Sequence, residues 1–245
     1  MELEPSGAPD PSRASDALRH GELDLLGRMA WSSNATFLVN IAHDDVEVRG
    51  IYKPQRGERP LWDFPDGTLC YREVAALELS HALGWSIVPE TVLRDGPYGI
   101  GMVQQFIDHD PDDHYFTLLE DHIDEFMRFA AFDVLANNAD RKGGHCLQAK
   151  RDGHIWGIDH GLTFHVHDKL RTVIWDFAGD AVPAPILGRI ECILDELDGP
   201  LGVRLGELLA PAEVEAVGER ARWLLRAGTY PIPEEGYHSV PWPPV

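Results

Sequence analysis

The sequence predicts an α+β protein of two lobes, β-rich over the first 108 residues or so and mainly helical after them. Three observations carry this reading. The first is a pair of β-prone runs, "ATFLVNIA" and "VEVRGIYKP", separated by "HDD", which is the pattern of an antiparallel hairpin. The second is the return to strands in "IVPETVLRDGPYGIGMVQQFID" around a "DGPYG" turn. The third is a 3-4-3 apolar spacing at Ile123, Phe126, Met127, Ala130, Ala131, Val134 and Leu135, which predicts a buried helix face.

The remaining elements follow in order. "LCYREVAALELSHALG" reads as a helix stopped by Gly84, and it lies between the two hairpins. After the helix over 123–135, "HCLQAKRDGHIWGIDHG" predicts a short hairpin turning at "RDG". "APILGRIECILDELD" and "PAEVEAVGERARWLLRAG" are helical by period. Residues 1–16, rich in Pro, Ser, Ala and Asp, are expected to be a disordered tail. Residues 17–108 form the N-terminal lobe and 109–228 the C-terminal lobe. The stretch 229–245 carries five prolines, and its Tyr230, Tyr237 and Trp242 suggest a tail that packs along the body.

Composition narrows the function classes. The chain of 245 residues carries 41 acidic against 21 basic side chains, a net charge of −20. That field repels phosphate backbones and anionic bilayers, so neither nucleic acid nor stable membrane insertion is expected. It does not exclude ATP, which arrives with a metal ion and is held by local groups. Cys70, Cys146 and Cys192 are far apart, with no C-x-x-C pair. That fits neither a disulfide framework nor a zinc ribbon, and suits a reducing cytoplasm. No run approaches the roughly 18 apolar residues of a membrane span.

Several residues are candidates for chemistry. Lys53 ends a predicted strand in "GIYKP" and is either a solvated strand-end lysine or a cation for phosphate oxygens. In the second case a carboxylate must hold it; of Glu73 and Glu78 in the next helix, Glu73 is preferred. "SSNATF" places Ser32, Ser33 and Asn34 in a small polar turn whose backbone N–H groups can approach phosphate. Asp140, in "NNADRKGGH", follows the buried helix, and Asp159, in "WGIDHG", ends the next hairpin. Each alone reads as a turn aspartate. Together they match what phosphoryl transfer needs, one carboxylate to orient the acceptor hydroxyl and another to hold a metal against the phosphates.

With those residues in order, the set resembles the atypical kinases of the phosphatidylinositol 3-/4-kinase-like superfamily, with their "D-R-x-x-x-N" loop and "D-x-G" motif. More closely, "YKPQRGERPLWDFPDGTL…REVAALELS", "NNADRKGGH" and "GIDHGLTFH" resemble an actinobacterial family of phosphatidylinositol-kinase-like proteins, over residues 20–243. The resemblance implies a bilobal kinase-like fold with nucleotide in the cleft. It implies that Lys53 contacts the α/β-phosphates, that Glu73 holds it, and that Asp140 is the catalytic aspartate. Asp159 would be the principal metal ligand. The strand Met102–Ile107 would be the hinge, so that Gln104, Gln105, Phe106 and Ile107 meet adenine.

His145 stands where the superfamily has asparagine. Imidazole prefers softer metals than Mg²⁺, so the second metal is weak or absent, or Mn²⁺ is preferred, or His145 contacts phosphate instead. Asn137 and Asn138 are alternative sources of the amide. After Asp159, "HGLTFHVHDKLRTVIWDF" reads either as a half-exposed strand, with His165 and His167 alternating with Phe164 and Val166, or as a recognition segment for an anionic acceptor. The expected function is ATP- and Mg²⁺- or Mn²⁺-dependent phosphoryl transfer to a hydroxyl, on a protein or small molecule rather than a lipid. The alternatives are a nucleotide-binding scaffold without turnover and AMP transfer on the same fold. A weaker rival is a metal hydrolase built from His145, Asp159, His160, His165 and His167.

Overall fold

Antiparallel pairing organises the first part of the chain. A computed structural model describes residues 11–29, 34–233 and 238–245. The chain divides into two compact units, Met1–Arg59 with Glu90–Phe106, and Pro60–Pro89 with Ile107–Val245. The first unit is a helix α1 (Pro11–His20) and a five-stranded sheet of order β1-β2-β3-β5-β4. Its strands are β1 (Glu22–Arg28), β2 (Phe37–His43), β3 (Val46–Pro54), β4 (Thr91–Gly96) and β5 (Gly99–Gln105). The β2–β3 hairpin turns at Asp44, whose φ of 55° is the left-handed geometry that a short polar side chain tolerates. The expected "HDD" hairpin is therefore present, with Phe37 opposite Tyr52 and His43 opposite Val46.

One face of the sheet is apolar: Val39, Ile41, Tyr52, Val92 and Val103 are buried with Leu18 of α1. That burial explains why residues 11–16, expected to be disordered, are helical. Ala14 and Ala17 are also buried, so the Ala/Ser-rich composition serves close packing. Residues 1–10 lie outside the described residues.

The second unit is mainly helical: α2 (Leu69–Leu83), α3 (Tyr115–Leu118), α4 (Ile123–Ala136), α5 (Ala184–Leu197), α6 (Pro200–Leu208) and α7 (Pro211–Ala227). Between α4 and α5 lies the short hairpin β6 (Cys146–Gln148) and β7 (Ile155–Gly157). α2 ends at Gly84 in the left-handed conformation, φ 66°, as the sequence predicts. Its core gathers Leu77, Leu79, Phe126, Phe129, Phe132, Leu135, Ile190, Ile193, Leu205 and Val217. Residues 60–89, placed with the N-terminal lobe by the sequence, pack in this helical unit.

The described residues after α7 form no helix or strand. Tyr230 is buried and its hydroxyl donates to the Met127 carbonyl at 2.8 Å, while Trp242 is 89% exposed. Tyr237 lies outside the described residues. Among the described residues no helix is long and apolar enough to cross a membrane.

Candidate active site

The site in the helical unit starts where α4 stops. Asn137 caps it in the left-handed conformation, φ 48°, and the chain turns into the loop that carries Asp140 and His145. Asn137 is buried and its amide makes three hydrogen bonds. Its Nδ2 donates to the carbonyls of His165 and His167 at 2.8 and 2.7 Å, and its Oδ1 accepts from Lys169 N at 2.9 Å. Asn138 is engaged too: Nδ2 donates to Asp133 at 3.0 Å and Oδ1 accepts from Asp140 N at 3.0 Å. Both amides thus brace the loop and the segment after Asp159.

Beneath the loop lies a buried ion pair that the sequence reading missed. Arg141 and Asp133 are both fully buried, and Arg141 Nε and Nη2 donate to the Asp133 carboxylate at 3.0–3.2 Å. Burial works most strongly against the Arg141 charge, but Asp133, Cys146 and Asp159 together outweigh it and the guanidinium ends above its ordinary value. Arg141 Nη1 also donates to the carbonyls of His145 and Ile158 at 3.4 and 3.2 Å, and Nη2 lies 2.7 Å from His160 Nε2. One planar fork thus fixes the loop at His145, the end of β7 before Asp159, and His160 after it.

This frame brings three of the expected residues together. His145 Nε2 lies 3.4 Å from a carboxylate oxygen of Asp159. Asp159 has φ 61°, an αL conformation rare outside glycine and asparagine-like residues, and its side chain is half exposed. Asp140 sits 3.4 Å from Lys142 Nζ. Burial raises the Asp140 carboxyl above its ordinary value, Lys142 opposes this, and the nearby Asp159 charge adds to the rise. Glu73 of α2, also buried, accepts the backbone N–H of His160 at 2.8 Å and so ties that helix to the residue after Asp159.

The segment after Asp159 is not the alternating strand that the sequence allowed. Phe164 is buried with φ 61°, which breaks the extended run, and the Asn137 amide staples the backbone beyond it. Lys169 is 2.7 Å from Asp63 rather than open to an anion. Among the described residues no group of three or more His, Cys, Asp or Glu side chains could hold a metal ion by itself.

Other expected residues lie in the sheet unit. Lys53 stands in β3 opposite Met102 of β5, next to Pro54 opposite Gly101. A Cβ on Gly101 would lie 2.4 Å from the Lys53 carbonyl oxygen, so only glycine lets the strands meet there. Asn34 Oδ1 accepts from Arg59 N at 2.9 Å; Ser32 and Ser33 lie outside the described residues. In the expected hinge the Gln104 side chain is buried and donates to Thr91 at 2.9 Å, so its amide serves the sheet. Gln105 N donates to Glu90 O, and Phe106 N to Arg49 O with the Arg49 guanidinium over its ring. Ile107 falls in the helical unit, packed with Leu147 and Ala149.

An antiparallel sheet unit with a mainly helical unit makes an α+β kinase-like fold, and solved structures agree. The chain is similar to the Helicobacter pylori proinflammatory kinase CtkA, with TM-score 0.54 and 12% identity over 87% of this chain and 94% of that one. It is similar to the Golgi casein kinase with Mn/ADP bound, with TM-score 0.55 and 13% identity over 89% and 75%. At such identities the likeness is one of fold. No family model matches the sequence. The chain is 42% identical over 261 aligned residues to protein Rv2133c of Mycobacterium tuberculosis (strain ATCC 25618 / H37Rv), covering 92% of this chain and 93% of that protein. It belongs to the same family as Rv2133c.

Proposed function

We propose that the protein is an ATP- and divalent-metal-dependent phosphotransferase acting on a hydroxyl of a protein or small molecule. The observation that carries this is the grouping of Asp140, His145 and Asp159 on one frame held by the buried Arg141 fork. Asp140 is the group for the acceptor. Its carboxylate takes the hydroxyl proton as the acceptor oxygen bonds to the γ-phosphorus and the bond to the β–γ bridging oxygen breaks, releasing ADP.

The donor set suits a hard cation brought in with nucleotide. Mg²⁺ is ordinarily held by one or two carboxylates, with phosphates and waters completing the shell. Asp159, half exposed, would supply such a carboxylate. His145 would complete the protein's share and favours Mn²⁺ over Mg²⁺. The cation would supply charge neutralisation at the phosphates. Lys53 is the proposed side chain for the α/β-phosphates, with Glu73 as its carboxylate and the backbone of 104–107 for adenine. The net charge of −20 favours an acceptor other than an anionic lipid.

The test is turnover of ATP with Mg²⁺ or Mn²⁺ by the purified chain, with products identified by mass. Transfer of phosphate is expected, abolished by Asp159→Asn and strongly reduced by Asp140→Asn, with Lys53→Met weakening nucleotide binding. Transfer of AMP would replace this reading with nucleotidyl transfer. Nucleotide binding without turnover in the unsubstituted protein would leave a scaffold, and no binding at all would end the proposal.

A further inference from the structure

A cavity lies in the helical unit, and its lining includes none of Asp140, His145 and Asp159. It encloses about 590 Å³, within the range of small-molecule sites. Arg220, Trp223 and Arg226 line it from α7, Leu170 and Trp175 from the segment after Asp159, and Ile232 from the stretch after α7. Trp223 is 42% exposed and Ile232 71% exposed, so large apolar groups border the cavity without a covering partner among the described residues.

Arg220 gives the cavity its chemistry. Its Nε donates to the Leu135 carbonyl at 2.8 Å and its Nη1 to the His165 carbonyl at 3.3 Å, while Nη2 is buried with no hydrogen-bond partner among the described residues. Burial pushes its guanidinium down to about 10, against the pull of Asp168 and Glu219. Buried donors are nearly always satisfied, and an unmet guanidinium N–H is best met by an anionic acceptor. Asp168 and Glu219, which also line the cavity, set the limit on charge. Two arginines against two acids leave the lining near neutral, so a polyphosphate is disfavoured and a single negative charge at Arg220 is allowed.

The geometry points to a binding site for a monoanionic aromatic or apolar small molecule, a carboxylate or sulfonate whose charge lies beside the Arg220 guanidinium and whose body packs against Trp175 and Trp223. It stands whether or not the protein transfers phosphate.

The probe is 1-anilinonaphthalene-8-sulfonate, titrated into the full chain and read by energy transfer from tryptophan and by calorimetry. One saturable site per chain is expected. Arg220→Met, which keeps most of the side-chain length, should weaken binding by about tenfold or more, as loss of a charge-assisted bond predicts. Trp223→Ala, at a partly exposed position, should weaken it comparably with circular dichroism unchanged. N-phenyl-1-naphthylamine, the same body without the sulfonate, should bind about tenfold more weakly. No saturable binding would overturn the proposal, as would equal affinity for the neutral analogue or unchanged binding in both variants. Should Arg220→Met fail to fold, the Trp223 variant and the neutral analogue decide.

Discussion

Arg141→Met is the substitution from which the structure predicts the largest effect. It removes the partner of a fully buried carboxylate, leaving Asp133 with Asn138 Nδ2 at 3.0 Å and Thr172 Oγ1 at 3.2 Å. It also strips the carbonyls of His145 and Ile158 of a donor. Breaking a buried pair from one side costs about 3–5 kcal/mol, and each abandoned carbonyl adds up to about 1 kcal/mol. The terms overlap, so about 4–5 kcal/mol is expected, a large share of the roughly 5–15 kcal/mol of an ordinary fold. Asp133→Leu alone should cost nearly as much, because it leaves a buried guanidinium. The double variant should recover at least about 2 kcal/mol of the summed losses, since two apolar residues replace a pair whose desolvation was costly. The assay is urea unfolding followed by tryptophan fluorescence. Six of the seven tryptophans lie in the helical unit, so the signal reports mainly that unit. The double variant should regain stability without regaining the proposed phosphotransfer, because the carbonyls of His145 and Ile158 stay unheld. Single variants costing under about 1 kcal/mol, or a coupling energy near zero, would refute the reasoning.

Other expectations follow from the same geometry. Gly101→Ala drives a Cβ into the Lys53 carbonyl oxygen and to 2.6 Å from Pro54 Cα. It should cost about 1–3 kcal/mol and weaken ATP binding while the helical unit keeps its unfolding midpoint. Asn137→Gly keeps the left-handed cap but loses three hydrogen bonds to the 165–169 segment. Limited proteolysis should cut there sooner, with helical circular dichroism unchanged. Cys70 and Cys146 are buried and Cys192 is exposed, and burial pushes the Cys146 thiol up to about 12. One thiol per chain should react with a maleimide at about pH 8 in the native protein and three in denaturant. Burial also raises the Tyr115 and Tyr230 hydroxyls above their ordinary value. The folded state therefore binds these protons more tightly than the unfolded chain. Stability should be intact below about pH 9 and fall as pH rises past the ordinary thiol and phenol values, readable as a lower urea midpoint.

What could be read in advance was whatever local pattern dictates. The β2–β3 hairpin declared itself because "HDD" breaks two β-prone runs, and α2 because Gly84 can take a conformation that ends a helix. α6 did not, since three glycines or prolines interrupt "PLGVRLGEL" and its hold is Leu201 and Leu205, buried one turn apart. The strand reading of 164–167 failed for a non-local reason: Asn137, 28 residues earlier, sets that backbone. The two acids of the candidate site were visible by spacing, yet the group that unites them was not. Asp133 stands in "FAAFDVLA", an acid amid apolar residues on a helix that buries nearly every position of its last two turns. Such a charge is affordable only with a partner, and the partner is the arginine beside the candidate catalytic aspartate. The acid in that apolar run was therefore the one local sign that the following loop is rigidly held. A turn made only of glycines and asparagines needs no buried guanidinium to fix it; one that must keep Asp140, His145 and Asp159 in mutual reach does.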